Sequence, residues 1–96
     1  MIDAYSTVRR RRSNPSVDLD SETVILDTET GVYFGLDGIG RSVWEMLERP
    51  RSVSDMATAL EERYDVSAAR CRRDLLRFLN ELLKEGLVEV NNGNTP

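Results

Sequence analysis

Reactive side chains are sparse in this chain. It contains no His and a single Cys, Cys71. Without imidazole it lacks the commonest general base near neutral pH and the commonest neutral metal ligand. One thiol excludes an intrachain disulfide and a multi-cysteine metal site. Cys71 falls near the start of a helical stretch, where a thiolate gains from the helix N-terminus. With no His beside it and an apolar pattern around it, it reads as a small buried hydrophobe. Asp18, Asp20, Asp27 and Asp37 offer four carboxylates for a hard cation, but turns and a helix cap account for them. No nucleophile-and-base pair can be assembled. The expectation is a chain with no catalytic residue, no metal and no cofactor.

The basic groups are the remaining candidates. The 96 residues carry a net charge of −4. Residues 1–16 hold Arg9, Arg10, Arg11 and Arg12 against Asp3, or +3, whereas residues 17–96 hold nine basic and sixteen acidic groups, or −7. An acidic body argues against nucleic acid as the main partner. The arginine run reads as a solvated tail. Arg70, Arg72, Arg73, Arg77 and Lys84 are set against Asp74, Glu81 and Glu85. They are either a solvated face or a surface for an acidic peptide, with Arg73 and Arg77 as the candidates for recognition. No run approaches the ~18 apolar residues of a membrane span, and no signal-peptide pattern opens the chain. A cytoplasmic location is the default.

The element that must position any site is Thr23 to Leu36, TVILDTETGVYFGL. Thr23–Asp27 and Val32–Leu36 are rich in β-branched and aromatic residues, and Gly31 suits the left-handed residue closing a bulged turn. Alternation puts Val32, Phe34 and Leu36 on one face and Tyr33 and Gly35 on the other. Phe34 reads as core. Ser16–Leu19 is a short strand before the hairpin, and Tyr5–Val8 and Val88–Val90 are further candidates.

Everything else after Asp37 is helical in pattern. A first helix is capped by Asp37, carries Ile39, Val43, Met46 and Leu47 with Trp44 in the core, and stops at Pro50. A second starts at Ser52 or Ser54 and ends near Tyr64. A third runs from Ala68 to Glu85 with Ser67 as cap and Gly86 past its end. The third helix is apolar on two sides. Cys71, Leu75, Phe78 and Leu82 form one row, and Leu76 and Leu83 form another with Leu79 between. Such a helix packs two neighbours or lines a groove.

Strands followed by three helices, the last two joined by Asp65-Val66-Ser67, predict an α+β domain. The expected form is winged-helix-turn-helix-like, a short antiparallel three-stranded sheet and then three α-helices. Residues 1–15 are expected to be a flexible basic segment, 16–90 the domain, and 91–96 a disordered tail.

The segment DTETGVYFGLDGIGRSVWEML, its spacing to ERYDVS, and the closing LLRFLNELLKEGLVEV resemble the PqqD family over Val17 to Val90. Its members are RiPP recognition elements, which bind leader peptides of ribosomally made, modified peptide natural products. The short stand-alone form is most similar to the leader-binding subunit of lasso peptide biosynthesis. The resemblance implies that a leader adds as a strand beside the third strand, in a cleft against the third helix. Carried onto this sequence, the peptide-binding residues are Val32, Tyr33, Phe34, Gly35 and Leu36. On the helix they are Arg73, Leu76, Arg77 and Asn80, a face inferred from the apolar second row. An exposed strand edge with an apolar groove is also the physical setting for strand addition. The expected function is a non-catalytic adaptor in lasso peptide biosynthesis. It would hand a precursor leader to a transglutaminase-like leader peptidase and a lasso cyclase. The alternatives are a PqqD-type chaperone in coenzyme PQQ synthesis and a winged-helix DNA-binding regulator.

Overall fold

A computed structural model describes residues 1–11 and 14–91. In chain order the elements are β1 (Thr7–Arg10), β2 (Ser16–Leu19), β3 (Glu22–Leu26), β4 (Tyr33–Asp37), α1 (Gly38–Met46), β5 (Arg51–Ser52), α2 (Val53–Arg63), α3 (Ala68–Lys84) and β6 (Val88–Asn91). The strands form two antiparallel sheets, β2-β3-β4 and β5-β1-β6, rather than the one expected.

The hairpin forms as its sequence dictates. The Asp27 side chain accepts from the Glu29 and Thr30 amides, and Gly31 closes the turn at φ 75°. Gly31 N–H donates to the Asp27 carbonyl at 2.7 Å and Asp27 N–H to the Val32 carbonyl at 2.8 Å. Val32 therefore stays in the turn, its own N–H donating to Thr30 Oγ1. In the register Ile25 faces Phe34 and Thr23 faces Leu36. Thr23 and Ile25 are buried with Phe34 and Leu36 half-buried beside them, while Val17, Leu19 and Tyr33 are exposed on the opposite face.

The helix boundaries follow local chemistry. Ser52 accepts from the Asp55 amide and Ser67 from the Arg70 amide, each satisfying an orphan donor of the first turn. Gly86 ends α3 at φ 75°, with Gly86 N–H bonded to the Leu83 carbonyl and Leu87 N–H to the Leu82 carbonyl at 3.0 Å each. Asp37 occupies the cap position of α1 without a side-chain cap bond, so only the position of that cap matches expectation.

The N-terminal segment departs from the loose basic tail expected over residues 1–15. β1 is the central strand of its sheet. Alternation sends Ser6 and Val8 inward, both 0% exposed. Arg9 pairs with Glu89 at 2.7 Å. Arg10 donates from Nε to the Trp44 carbonyl at 2.8 Å, and its guanidinium stands 4.7 Å from the Trp44 ring centroid. Burial lowers the Arg10 pKa, against raising contributions from Glu48, Asp18 and Glu45, and the guanidinium stays charged. Arg11 reaches the Gly86 carbonyl. The arginines are absorbed because a long stem can be buried while its head finds a carbonyl, ring or carboxylate. Arg12 and residues 92–96 of the expected tail lie outside the described residues, and Asn91 ends β6.

The core lies where α1, α2 and α3 meet the inner faces of the sheets. Val8, Ile25, Trp44, Leu47, Met56, Leu79 and Leu87 are among its fully enclosed side chains. Among the described residues no helix is long and apolar enough to cross a membrane.

Candidate functional site

β4 is an edge strand, and among the described residues no strand pairs with its outer side. Which of its backbone groups face outward follows from the hairpin. Antiparallel pairs alternate between hydrogen-bonded and non-bonded. Starting from the Asp27–Val32 bond, Ile25–Phe34 and Thr23–Leu36 are the bonded pairs. The Leu26 N–H, bonded instead to the Pro15 carbonyl at 2.9 Å on the far side, has the same phase. Phe34 and Leu36 thus turn their N–H and C=O toward β3. Tyr33 and Gly35 turn theirs toward open space.

A groove of roughly 480 Å³ runs between this edge and α3. Its strand wall is Tyr33 to Leu36 and its helix wall is Phe78, Glu81, Leu82, Lys84 and Glu85, closed by Leu87. Phe78, Glu81, Leu82 and Glu85 share one helix face because they are spaced at i, i+3, i+4 and i+7. Phe78 also lines an apolar cavity of roughly 280 Å³ between α1, α2 and α3, with Ile39, Val43, Tyr64 and Cys71. Gly40 packs beside the ring: a Cβ there would meet Phe78 at 3.5 Å and Leu36 at 3.9 Å, which is ordinary van der Waals contact. Cys71 is half-buried in that cavity, and burial pushes its thiol pKa up, with Glu61 adding to the shift. A raised thiol pKa is the reverse of what an activated nucleophile requires.

The expected site divides accordingly. Tyr33, Phe34, Gly35 and Leu36 line the groove, and Val32 precedes the strand. The four helix residues lie elsewhere. Asn80 is bonded to the N-terminal segment, accepting from the Ile2 amide at 2.9 Å and donating to the Ile2 carbonyl at 3.1 Å. At about 100° per residue, Leu76 is roughly opposite Glu85 and packs on the core. Arg73 and Arg77 are exposed and outside the groove lining. The α3 face turned toward β4 is that of Phe78, Glu81, Leu82 and Glu85, not that of Arg73, Leu76, Arg77 and Asn80. Phe78, Glu81, Leu82 and Glu85 were missed because Phe78 and Leu82 read as core. Sequence offered one signal: Leu75, Leu79 and Leu82 form the tightest i, i+4, i+7 row. Taking that row as the core leaves Phe78 at its edge.

Of the four aspartates assigned to caps and turns, Asp27 alone makes turn bonds with its side chain among the described residues, and Asp18 lies on β2. Asp18 accepts from Thr23 Oγ1 at 2.7 Å, and Asp27 holds the hairpin turn. Among the described residues no group of three or more His, Cys, Asp or Glu could hold a metal ion.

An open strand edge beside an apolar groove defines a class of peptide-accepting domain. The family model for coenzyme PQQ synthesis protein D, PqqD, matches residues 22–88, and the chain belongs to the PqqD family. Among solved structures it is similar to TbiB1 in complex with the TbiA(beta) leader peptide, at 32% identity over 92% of this chain and 99% of that chain, with a TM-score of 0.79. A lasso peptide synthetase B1 complexed with the leader peptide is 24% identical over 85% of this chain and 96% of that one, TM-score 0.77. The PqqD truncation of Methylobacterium extorquens PqqCD, a stand-alone RiPP recognition element, is 23% identical over 93% and 95%, TM-score 0.77. Those last two show the common fold. A search of curated proteins gave no match.

Proposed function

We propose that this chain recognises the leader of a ribosomally made precursor peptide by taking it as a further strand on β4, against α3. The observation that carries the proposal is the outward-facing backbone of Tyr33 and Gly35 beside the groove. Buried amides and carbonyls are almost always paired, and a strand laid in the groove pairs these while covering the half-buried Phe78. The similarity to TbiB1, solved with a leader peptide, supports it. The chain acts as an adaptor without chemistry of its own, in the cytoplasm, presenting the leader to a leader peptidase and a lasso cyclase. The rival pathway is coenzyme PQQ synthesis, which the description of the matching family favours. The 32% identity to TbiB1, solved with a leader peptide, supports leader recognition, and we take the lasso pathway as the reading.

The architectural half of the proposal is that α2 and α3 form a helix-turn-helix beside the sheet, as in winged-helix domains. The short connection from Tyr64 to Ser67 supports that shape. DNA binding is the weaker use of it, because the α3 face beside β4 presents Glu81 and Glu85.

Amide hydrogen exchange tests the central claim. In the free protein Tyr33 and Gly35 should exchange fast while Phe34 and Leu36 are protected. A bound leader peptide, tested first with the TbiA(beta) leader that TbiB1 binds, should then protect Tyr33 and Gly35 selectively. Fast exchange of Tyr33 and Gly35 in the saturated complex refutes strand addition here. In the same samples, mass spectrometry should show the peptide unchanged.

A further inference from the structure

The edge of β4 carries carboxylates on both of its faces. On the inner face Glu81 and Glu85 line the groove from α3. On the outer face the Glu22 side chain lies across Gly35, with Oε1 too close to leave room for a Cβ on Gly35. Val24 faces Gly35 in the register, and Glu22 is its same-face neighbour on β3. Among the described residues none of these three carboxylates has an ion pair or a side-chain hydrogen bond. Asp18, Glu45, Glu61, Asp74 and Glu89 lie within ion-pair distance of an arginine, but what sets Glu22, Glu81 and Glu85 apart is their place around the open edge of β4. Lys84 is the one cation lining the groove.

We infer that the segment accepted on β4 is basic. It would place one Lys or Arg toward Glu22 and a neighbouring one toward Glu81 and Glu85. Successive residues of an added strand point to opposite faces, so two adjacent basic residues reach the two carboxylate groups at once. Apolar residues on the groove side cover the half-buried Phe78. This inference deepens the strand-addition reading and rests on it. It also reverses the sign expected from Arg73 and Arg77, which stand outside the groove. Each exposed pair contributes little alone, but three unpaired carboxylates around one strand act together and are screened by salt.

The test uses three blocked synthetic ten-residue peptides with identical apolar positions. Their polar positions are all lysine, all glutamine or all glutamate. Affinity is measured at low and high salt, with exchange at Tyr33 and Gly35 followed in each complex. The lysine peptide should bind about tenfold tighter than the glutamine peptide at low salt, and the glutamate peptide weakest, with the spread shrinking at high salt. Combined Glu22→Gln, Glu81→Gln and Glu85→Gln substitutions, on exposed side chains, should remove the preference. Combined substitution of Glu81 and Glu85 by Lys should reverse it. Equal affinities with Tyr33 and Gly35 protected overturn the inference and leave strand addition standing. A lysine preference that survives the substitutions also overturns it, placing the attraction on the acidic body at large. If no peptide protects Tyr33 and Gly35, the strand-addition reading fails and the inference with it.

Discussion

The two flanks of α3 meet backbone in opposite ways. On one flank Asn80 bonds both the N–H and the C=O of Ile2, which is 2% exposed. The chain's own N-terminal segment fills that side. On the other flank Phe78, Leu82 and Glu85 face a groove whose opposite wall is the unpaired edge of β4. One helix thus has a backbone segment supplied on one side and room for one on the other. Apolar width alone does not mark a binding face. What distinguishes the open flank is a strand edge with no strand partner among the described residues.

The comparison can be broken most forcefully at the row between the flanks. Leu79 is fully buried, and Leu79→Ala should cost about 2–5 kcal/mol of stability, with both flanks disturbed. Thermal unfolding measures it, and a loss under ~1 kcal/mol would mean that the row is not the core. Asn80→Ala should cost about 1–3 kcal/mol, because the Ile2 amide and carbonyl lose their partner. Leader affinity should stay within about twofold, well under the ~1.4 kcal/mol of a tenfold change. A larger drop in affinity would move the binding site to the filled flank. Phe78→Ala should weaken leader binding about tenfold or more, since covering an aromatic side chain is worth roughly 1.5–3 kcal/mol. Calorimetric titration with the precursor leader checks this, and unchanged affinity would detach the groove from recognition. The smallest effect is expected at Arg73→Glu and Arg77→Glu. Both residues are exposed and outside the groove, so stability should change by no more than ~0.5 kcal/mol and leader binding hardly at all. A salt-sensitive loss of affinity in either variant would restore the face first inferred from sequence.

What sequence made legible was local. The hairpin, the serine caps of α2 and α3 and the Gly86 terminus depend on residues within a few positions of one another, and all are found where composition puts them. The rotation of α3 was not legible. Its apolar arc from Cys71 to Leu83 is too wide to show which side is covered, and the decision lies with Ile2, 78 positions from Asn80. The second sheet was half legible for the same reason: Tyr5–Val8 and Val88–Val90 were candidate strands, but their pairing was not evident. Thr7–Arg10 pairs with residues 51–52 and 88–91, and its arginines mask a strand in which only Val8 is apolar. The strand half of the groove was readable because its alternation is intrinsic. The half supplied by α3 was not, because a helix face is assigned by its neighbours.

The central place of β1 bears on how this protein can be cut and joined. The family match begins at residue 22, and composition suggests a boundary near residue 16. A fragment trimmed to either point loses the strand that Arg51–Ser52 and Val88–Asn91 both pair with. It also strips the lids from Trp44 and Asn80. The smallest excisable unit is therefore larger than the recognisable one. A fusion made upstream enters beside Asn80, on the far side of α3 from the groove, and leaves the groove mouth clear.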